Sequence, residues 1–403
     1  MLSEIKSKLA TMAMSVSLPL LAGSAFAQVP EIVIGAPNSL SGGYAEGGRT
    51  AVAGLKIAID EINAKGGIKS LGGAKLKLIP ADASSDNPAQ AATVTRRLIT
   101  QDKAVMLMGA HVSTMTLSAQ IEAERAEVPL ITTSYADAIV SKGMKYTFKI
   151  PPLSTAFSDV AFDYINAVYT EMTNQKVKRV AIFYGSDANS QALGAGLIAN
   201  AKKNNLEVVA TASLASGISD PTPVIGPVLS GKPDVIFMSL YTDDVILITK
   251  ALRNLGVKAP IVGSGSGIAV KTIAEALGKQ ADNLMGTIAW NGDLPIKGVA
   301  EFAAKYKAAF PNEKLLPQEA AGEGYAIGVL MGDVLEKAKS TDPKVLRDTI
   351  AAIDAPSILA GEKVKFGPNG QNVHAVPLLV TWSDGKLYTI WPKKYQTLKP
   401  RPL

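Results

Sequence analysis

The chain has 403 residues, a formal net charge of +6, 47% hydrophobic residues, two histidines and no cysteine. That length accommodates two domains of ordinary size, and the lack of cysteine excludes disulfides, thiol nucleophiles and thiolate metal sites. The basic residues are scattered along the chain, so the positive charge is not the footprint of a nucleic-acid binder.

Residues 1–27 read as an export leader. Lys6 and Lys8 give a short charged start, an apolar stretch covers 12–22, and Ala25-Phe26-Ala27 is a small-x-small cleavage site before Gln28. The apolar stretch is too short to span a bilayer. The reading predicts a soluble protein in a bacterial periplasm. From there the hydrophobic period alternates. Residues 31–35 read as a buried strand, 50–63 as an amphipathic helix stopped by Gly66-Gly67, and 75–80 as a strand. Residues 88–100 read as a helix with Asn87 as N-cap and Pro88 in its first position. Strands at 104–109 and 129–132 flank a helix at 115–125. Such βα alternation predicts a parallel sheet with helices on both faces.

The pattern restarts after Pro151-Pro152. Helices are expected at 157–171, 190–204, 223–230, 243–255 and 269–277, and strands at 179–183, 207–211, 234–239 and 260–263. Helices at 299–309 and 319–338 follow, then strands within 363–393, with turns at Pro368-Asn369-Gly370 and Asp384-Gly385. The expected fold class is α/β, two units of similar size without a flexible linker. Two lobes on a hinge of a few crossing strands can close over a ligand.

Ligands of open parallel sheets sit at the carboxyl ends of the strands, which directs attention to four polar loops. Residues 38–49 lead into a helix N-terminus, where unpaired N–H groups favour an anion, and include Tyr44. Residues 109–116 hold His111, Ser113 and Thr114; the two hydroxyl residues are ligand donors, helix N-caps, or both. Residues 132–137 supply Ser134 and Tyr135, with Asp137 as a candidate turn cap. Residues 239–244 supply Tyr241, a cover for an apolar ligand face, and Asp243, a cation partner or an N-cap. Trp290 lines the cleft or belongs to the core.

Catalysis is poorly supplied. His111 and His374 are the two histidines, and no H-E-x-x-H, G-x-S-x-G or metal-cluster spacing occurs. His111 and Ser113 lack an evident third orienting group for a nucleophile and base. The run Gly263-Ser264-Gly265-Ser266-Gly267 follows a strand but lacks the G-x-G-x-x-G spacing of a dinucleotide site. No cofactor and no metal is expected.

The runs EIVIGAPNSLSG (31–42) and AVAGLKIAIDEINAKGG (51–67) are similar to those of the leucine/isoleucine/valine-type periplasmic binding proteins of ABC importers. Further matching stretches are VMLMGAHVST, VPLITTSYADAI, KYTFKIPP, VIFMSLYTDD and GEGYAIGVL. The resemblance implies the type I fold, with two Rossmann-like lobes joined by three crossings. It places the N-terminal lobe at about 28–150 plus 287–360 and the C-terminal lobe at about 151–286 plus 361–403. It puts the ligand carboxylate on Ser113 and on Ser134 or Tyr135, and a C-lobe tyrosine at Tyr241. Two departures stand out. Ser264-Gly265-Ser266 occupies the place of the acidic residue that pairs with an α-ammonium, and Ser190 that of a tyrosine. Either Asp243, Asp187 or Glu323 supplies the counter-charge, or the ligand has no ammonium. The resemblance implies a monomer that hands a small carboxylate to an inner-membrane ABC permease. Two other classes fit less well: a periplasmic sensor on the same fold, and an extracytoplasmic hydrolase.

Overall fold

The computed structural model describes residues 31–264, 267–312 and 317–399. The expected leader lies outside them, as do Gly265 and Ser266 of the glycine-rich run. Among the described residues no helix is long and apolar enough to cross a membrane.

The first lobe is a parallel sheet of β1 (Glu31–Asn38), β2 (Lys75–Asp82), β3 (Met106–Met108), β4 (Leu130–Thr132) and β5 (Thr147–Lys149), in the order β2-β1-β3-β4-β5. Helices α1 (Ala45–Ala64), α2 (Pro88–Thr100) and α3 (Ser113–Arg125) connect its strands. The α2 helix starts as the sequence predicts: Asn87 Oδ1 accepts from Gln90 N at 3.2 Å. The α1 helix starts at Ala45 instead of residue 50. Gly47 and Gly48, read as loop glycines, lie inside its first turns because the strand-end loops press on it. A Cβ at Gly48 would stand 1.9 Å from the Ser39 carbonyl oxygen.

The second lobe begins with α4 (Ser154–Tyr164), which runs through a π-helical turn at Ile165–Tyr169 into α5 (Thr170–Thr173). Then follow β6 (Arg179–Gly185), α6 (Ala188–Lys203), β7 (Glu207–Leu214), α7 (Thr222–Gly231), β8 (Val235–Ser239), α8 (Thr242–Asn254), β9 (Ile261–Ser264), α9 (Lys271–Leu277) and β10 (Leu284–Ile288). The chain next returns to the first lobe with α10 (Val299–Ala309), α11 (Glu319–Ala338), α12 (Pro343–Ala351) and a hairpin of β11 (Asp354–Pro356) and β12 (Lys363–Lys365). It ends in the second sheet with β13 (Leu378–Ser383) and β14 (Lys386–Trp391), antiparallel additions that give the order β14-β13-β10-β9-β8-β6-β7. The architecture is the two-lobed α/β fold expected from the alternation.

The two visits to the first lobe are welded where α11 lies on α1. A Cβ at Gly324 would stand 2.0 Å from the Ala51 carbonyl oxygen, and one at Gly54 equally close to that of Ala321, so the helix backbones touch. Ile34, Leu55, Ile327 and Leu330 bury together around this contact. Trp290 belongs to the same core: it is fully buried, and its indole N–H donates to the Ile358 carbonyl at 2.9 Å. Three segments cross between the lobes, at 150–153, 289–298 and 366–377. The last follows the hairpin, and Phe366 there packs on Phe148 of β5 with ring centroids 5.0 Å apart.

Candidate functional site

The strand-end loops of both sheets meet at a small cavity of about 50 Å³. On the first-lobe wall, the β3–α3 loop carries His111 in the left-handed region (φ 64°). Its ring lies where a Cβ on Gly47 would need to be, 2.2 Å from Nε2. Burial lowers the His111 pKa to about 4, so the imidazole is neutral at neutral pH. The cap position of α3 is Val112, without a side-chain cap, so neither Ser113 nor Thr114 is the N-cap. Ser113 is buried and lines the cavity, and its Oγ accepts from Tyr135 N at 3.3 Å and Ala136 N at 3.1 Å. With those lone pairs engaged, the hydroxyl proton is left to donate. The first turn of α3 adds N–H groups and the positive end of the helix dipole.

The β4 loop divides its side chains by alternation. Thr133 lines the cavity, and its buried Oγ1 has no hydrogen-bond partner among the described residues. Ser134 points the other way: its Oγ donates to the His111 carbonyl at 2.8 Å and lies 2.6 Å from Thr116 Oγ1. Tyr135 lines the cavity and packs on Phe157 of α4 at 4.8 Å. Thr114 is half-buried and lies off the cavity lining.

The second-lobe wall is made of small polar groups. Ser239 Oγ links Ser190 Oγ at 3.3 Å and Ser264 Oγ at 3.0 Å. Asp187 lines the cavity beside them. Its Oδ1 caps α6 by accepting from Asn189 N and Ser190 N, each at 3.1 Å, while its buried Oδ2 has no hydrogen-bond partner among the described residues. Tyr241 stands one layer out and stacks on Tyr44 at 4.2 Å, joining the lobes over the cavity. Burial, and next the Asp187 carboxylate, push the Tyr241 pKa up to about 12 and raise that of Tyr44 as well. Asp243 is exposed, away from the cavity, and Tyr241 holds the cap position of α8, so Asp243 is not the N-cap. Its buried neighbour Asp244 accepts from Gly217 N and Ile218 N at 3.2 and 2.9 Å.

Of the residues singled out in the sequence, the fold brings Tyr44, His111, Ser113, Tyr135, Asp187, Ser190 and Ser264 to the cavity. Sequence reasoning passed over Thr133, Asn189 and Ser239 and gave Asp187 only a minor part. The rule that found the other loops applies equally to 185–190, which follows β6. Its Asp-x-x-Ser pattern looks like an ordinary helix cap, and it is one, with a second oxygen to spare.

The model of the family described as periplasmic binding protein matches residues 31–386. The chain belongs to the periplasmic binding protein family. This family member is 26% identical over 399 residues to the Leu/Ile/Val-binding protein homolog 8 of Brucella suis, covering 94% of this chain and 96% of that one. It is similar to the branched-chain amino acid transporter substrate binding protein LivJ of Streptococcus pneumoniae, solved in complex with isoleucine. That match has a TM-score of 0.77 and 25% identity, covering 89% of this chain and 97% of the other. A solute binding protein of R. palustris, solved in complex with benzoate, shares the fold at a TM-score of 0.77 and 19% identity, covering 93% of this chain and 99% of the other. The resemblance read from the sequence is thereby borne out.

Proposed function

We propose that this periplasmic binding protein is the solute-binding component of an ABC importer and that its ligand is a small α-amino acid, enclosed as the lobes close. One observation carries the reading: the two walls of the cavity are complementary in charge. The first-lobe wall offers Ser113, Thr133 and the α3 N-terminus to a carboxylate. The opposite wall offers Asp187 Oδ2 to an ammonium. An ionised oxygen enclosed without a partner is costly, and a ligand cation removes that cost. Asp187 thus takes over the role that Ser264 cannot fill, and Tyr44 and Tyr135 enclose the ligand body. That LivJ is solved in complex with isoleucine supports an amino acid as the ligand class; the benzoate-bound protein shares only the fold.

The test is calorimetry with leucine, with 4-methylpentanoate, which lacks its amino group, and with benzoate. Leucine should bind tightest of the three. Asp187→Asn keeps the α6 cap, since Asn caps as well as Asp. It should cost leucine about 2–3 kcal/mol, roughly 30–150-fold in Kd, and leave the des-amino acid unchanged or improved. Equal binding of leucine and 4-methylpentanoate, with no effect of the substitution, would refute the ammonium assignment. Stimulation of the partner permease's ATPase by the loaded protein separates delivery from sensing.

A further inference from the structure

The hinge contains a cluster of buried ionisable groups that ligand recognition does not use. Glu319 and Glu323 stand one turn apart on α11 and are only 5% and 1% exposed. Glu319 Oε1 accepts the N–H of Ala289, the first residue of the second crossing. The Tyr135 side chain, which lines the cavity, interacts with the same carboxyl. Neither oxygen of Glu323 has a hydrogen-bond partner among the described residues.

Lys149 at the end of β5, which is fully buried, acts on Glu323 as a cation. Its Nζ donates to the carbonyls of Pro151 and Pro152 in the first crossing and lies 3.4 Å from Gln371 Oε1 in the third. Gln371 Nε2 donates back to the Pro151 carbonyl at 2.8 Å. The cluster therefore touches all three crossings and the cavity. Two further acids adjoin it. Asp137 acts on Lys149 and accepts from Thr155 Oγ1 of α4 at 2.7 Å. Glu46 accepts from Gln318 Nε2 at 3.3 Å and from Thr272 Oγ1 of the second lobe at 2.9 Å.

We propose that Glu319 and Glu323 are positioning residues that make lobe closure proton-linked: with the pair protonated the crossings hold the closed arrangement and Tyr135 stays in place, and with the pair ionised the cleft opens. Two carboxyls this close and this buried cannot both ionise cheaply. Burial raises both, and the charge of Glu319 raises Glu323 further against the pull of Lys149. Burial also lowers Lys149 to about 7, which weakens that pull near neutrality. A movement that wets the two carboxyls, while Lys149 keeps its Pro151 and Pro152 carbonyl partners, relieves their burial and releases protons. By linkage, closure takes protons up, and falling pH favours it.

The experiment needs no ligand, so its outcome is independent of the ammonium assignment. The cysteine-free chain allows one spin label at Gln101 and one at Lys250, exposed positions on opposite lobes. Inter-label distances are measured between pH 5.5 and 8.5. The short-distance population should grow as pH falls, its ratio to the long one changing by up to about tenfold per pH unit for each proton taken up. Glu319→Gln/Glu323→Gln, a neutral isosteric pair, should show the short distance at every pH. Glu323→Gln alone should shift the midpoint and supplies the test should the double variant fail to fold. A pH-independent distance in the wild type overturns the proposal, as does a pH transition that survives unshifted in the variants.

Discussion

Replacing Ser113 with alanine separates the two tasks of one hydroxyl. The Oγ braces the β4 loop by accepting from Tyr135 N at 3.3 Å and Ala136 N at 3.1 Å. Removing it leaves those donors without that acceptor. The longer bond is the weaker, so the loss is dominated by the N–H of the buried Ala136, and stability should fall by about 1–2 kcal/mol. The same hydroxyl, as a donor to a ligand carboxylate, should contribute about 1.5–3 kcal/mol to binding, or roughly 10–150-fold in Kd. Urea unfolding measures the first quantity and calorimetry with leucine the second, both on folded protein at one pH. Ser113→Ala should show both losses. A loss of stability with Kd changed less than about twofold would refute the ligand contact and leave Ser113 as a brace for the loop.

Gly324→Val places a branched side chain where a Cβ alone would meet the Ala51 carbonyl at 2.0 Å. Urea unfolding should show a loss of at least about 3 kcal/mol, since neither backbone can yield easily. An effect under about 1 kcal/mol would mean that the α1–α11 contact is looser than described. Glu61 gives an acid-side dependence. Hydrogen bonds from Lys305, Lys65 and Tyr325 outweigh its desolvation and lower its pKa to about 2. Its stabilising contribution is therefore full above the unfolded carboxylate range and is lost as pH falls from about 4.5 toward 2. Glu61→Gln should flatten that part of a stability–pH curve, and an unchanged curve would contradict the assignment.

The fold was legible where local and tertiary signals agree. The α2 helix spans Pro88–Thr100 as predicted because Asn87 and Pro88 mark its start, and α11 spans Glu319–Ala338 because its apolar residues recur on the helical period. The start of α1 was not legible. Glycine pairs signal loops, and only the pressure of the Ser39 carbonyl and the His111 ring shows that Gly47 and Gly48 are helical. In the site, errors came one residue at a time. Thr133 faces the cavity and Ser134 the loop behind it. Asp244 is buried on loop N–H groups while Asp243 is exposed. Neighbouring side chains diverge, and two adjacent hydroxyls or carboxylates carry no mark of which turns inward.

The contact between α1 and α11 also bears on how the chain matures. The surface that α1 presents is completed only by residues 319–338, from the far end of the sequence. A nascent chain that has emerged through β5 holds all five strands of the first sheet but lacks that cover, so Leu55 and its neighbours remain wet. The second lobe has strands β6 to β10 in one uninterrupted stretch before α11 is made, but β13 and β14, with the buried Leu379, Trp382 and Ile390, follow only afterwards. Neither lobe can therefore close its core until the last part of the chain is available, a departure from the usual N-terminal-first order of domain folding. The leading half of the chain stays loosely structured until its distant partners are made.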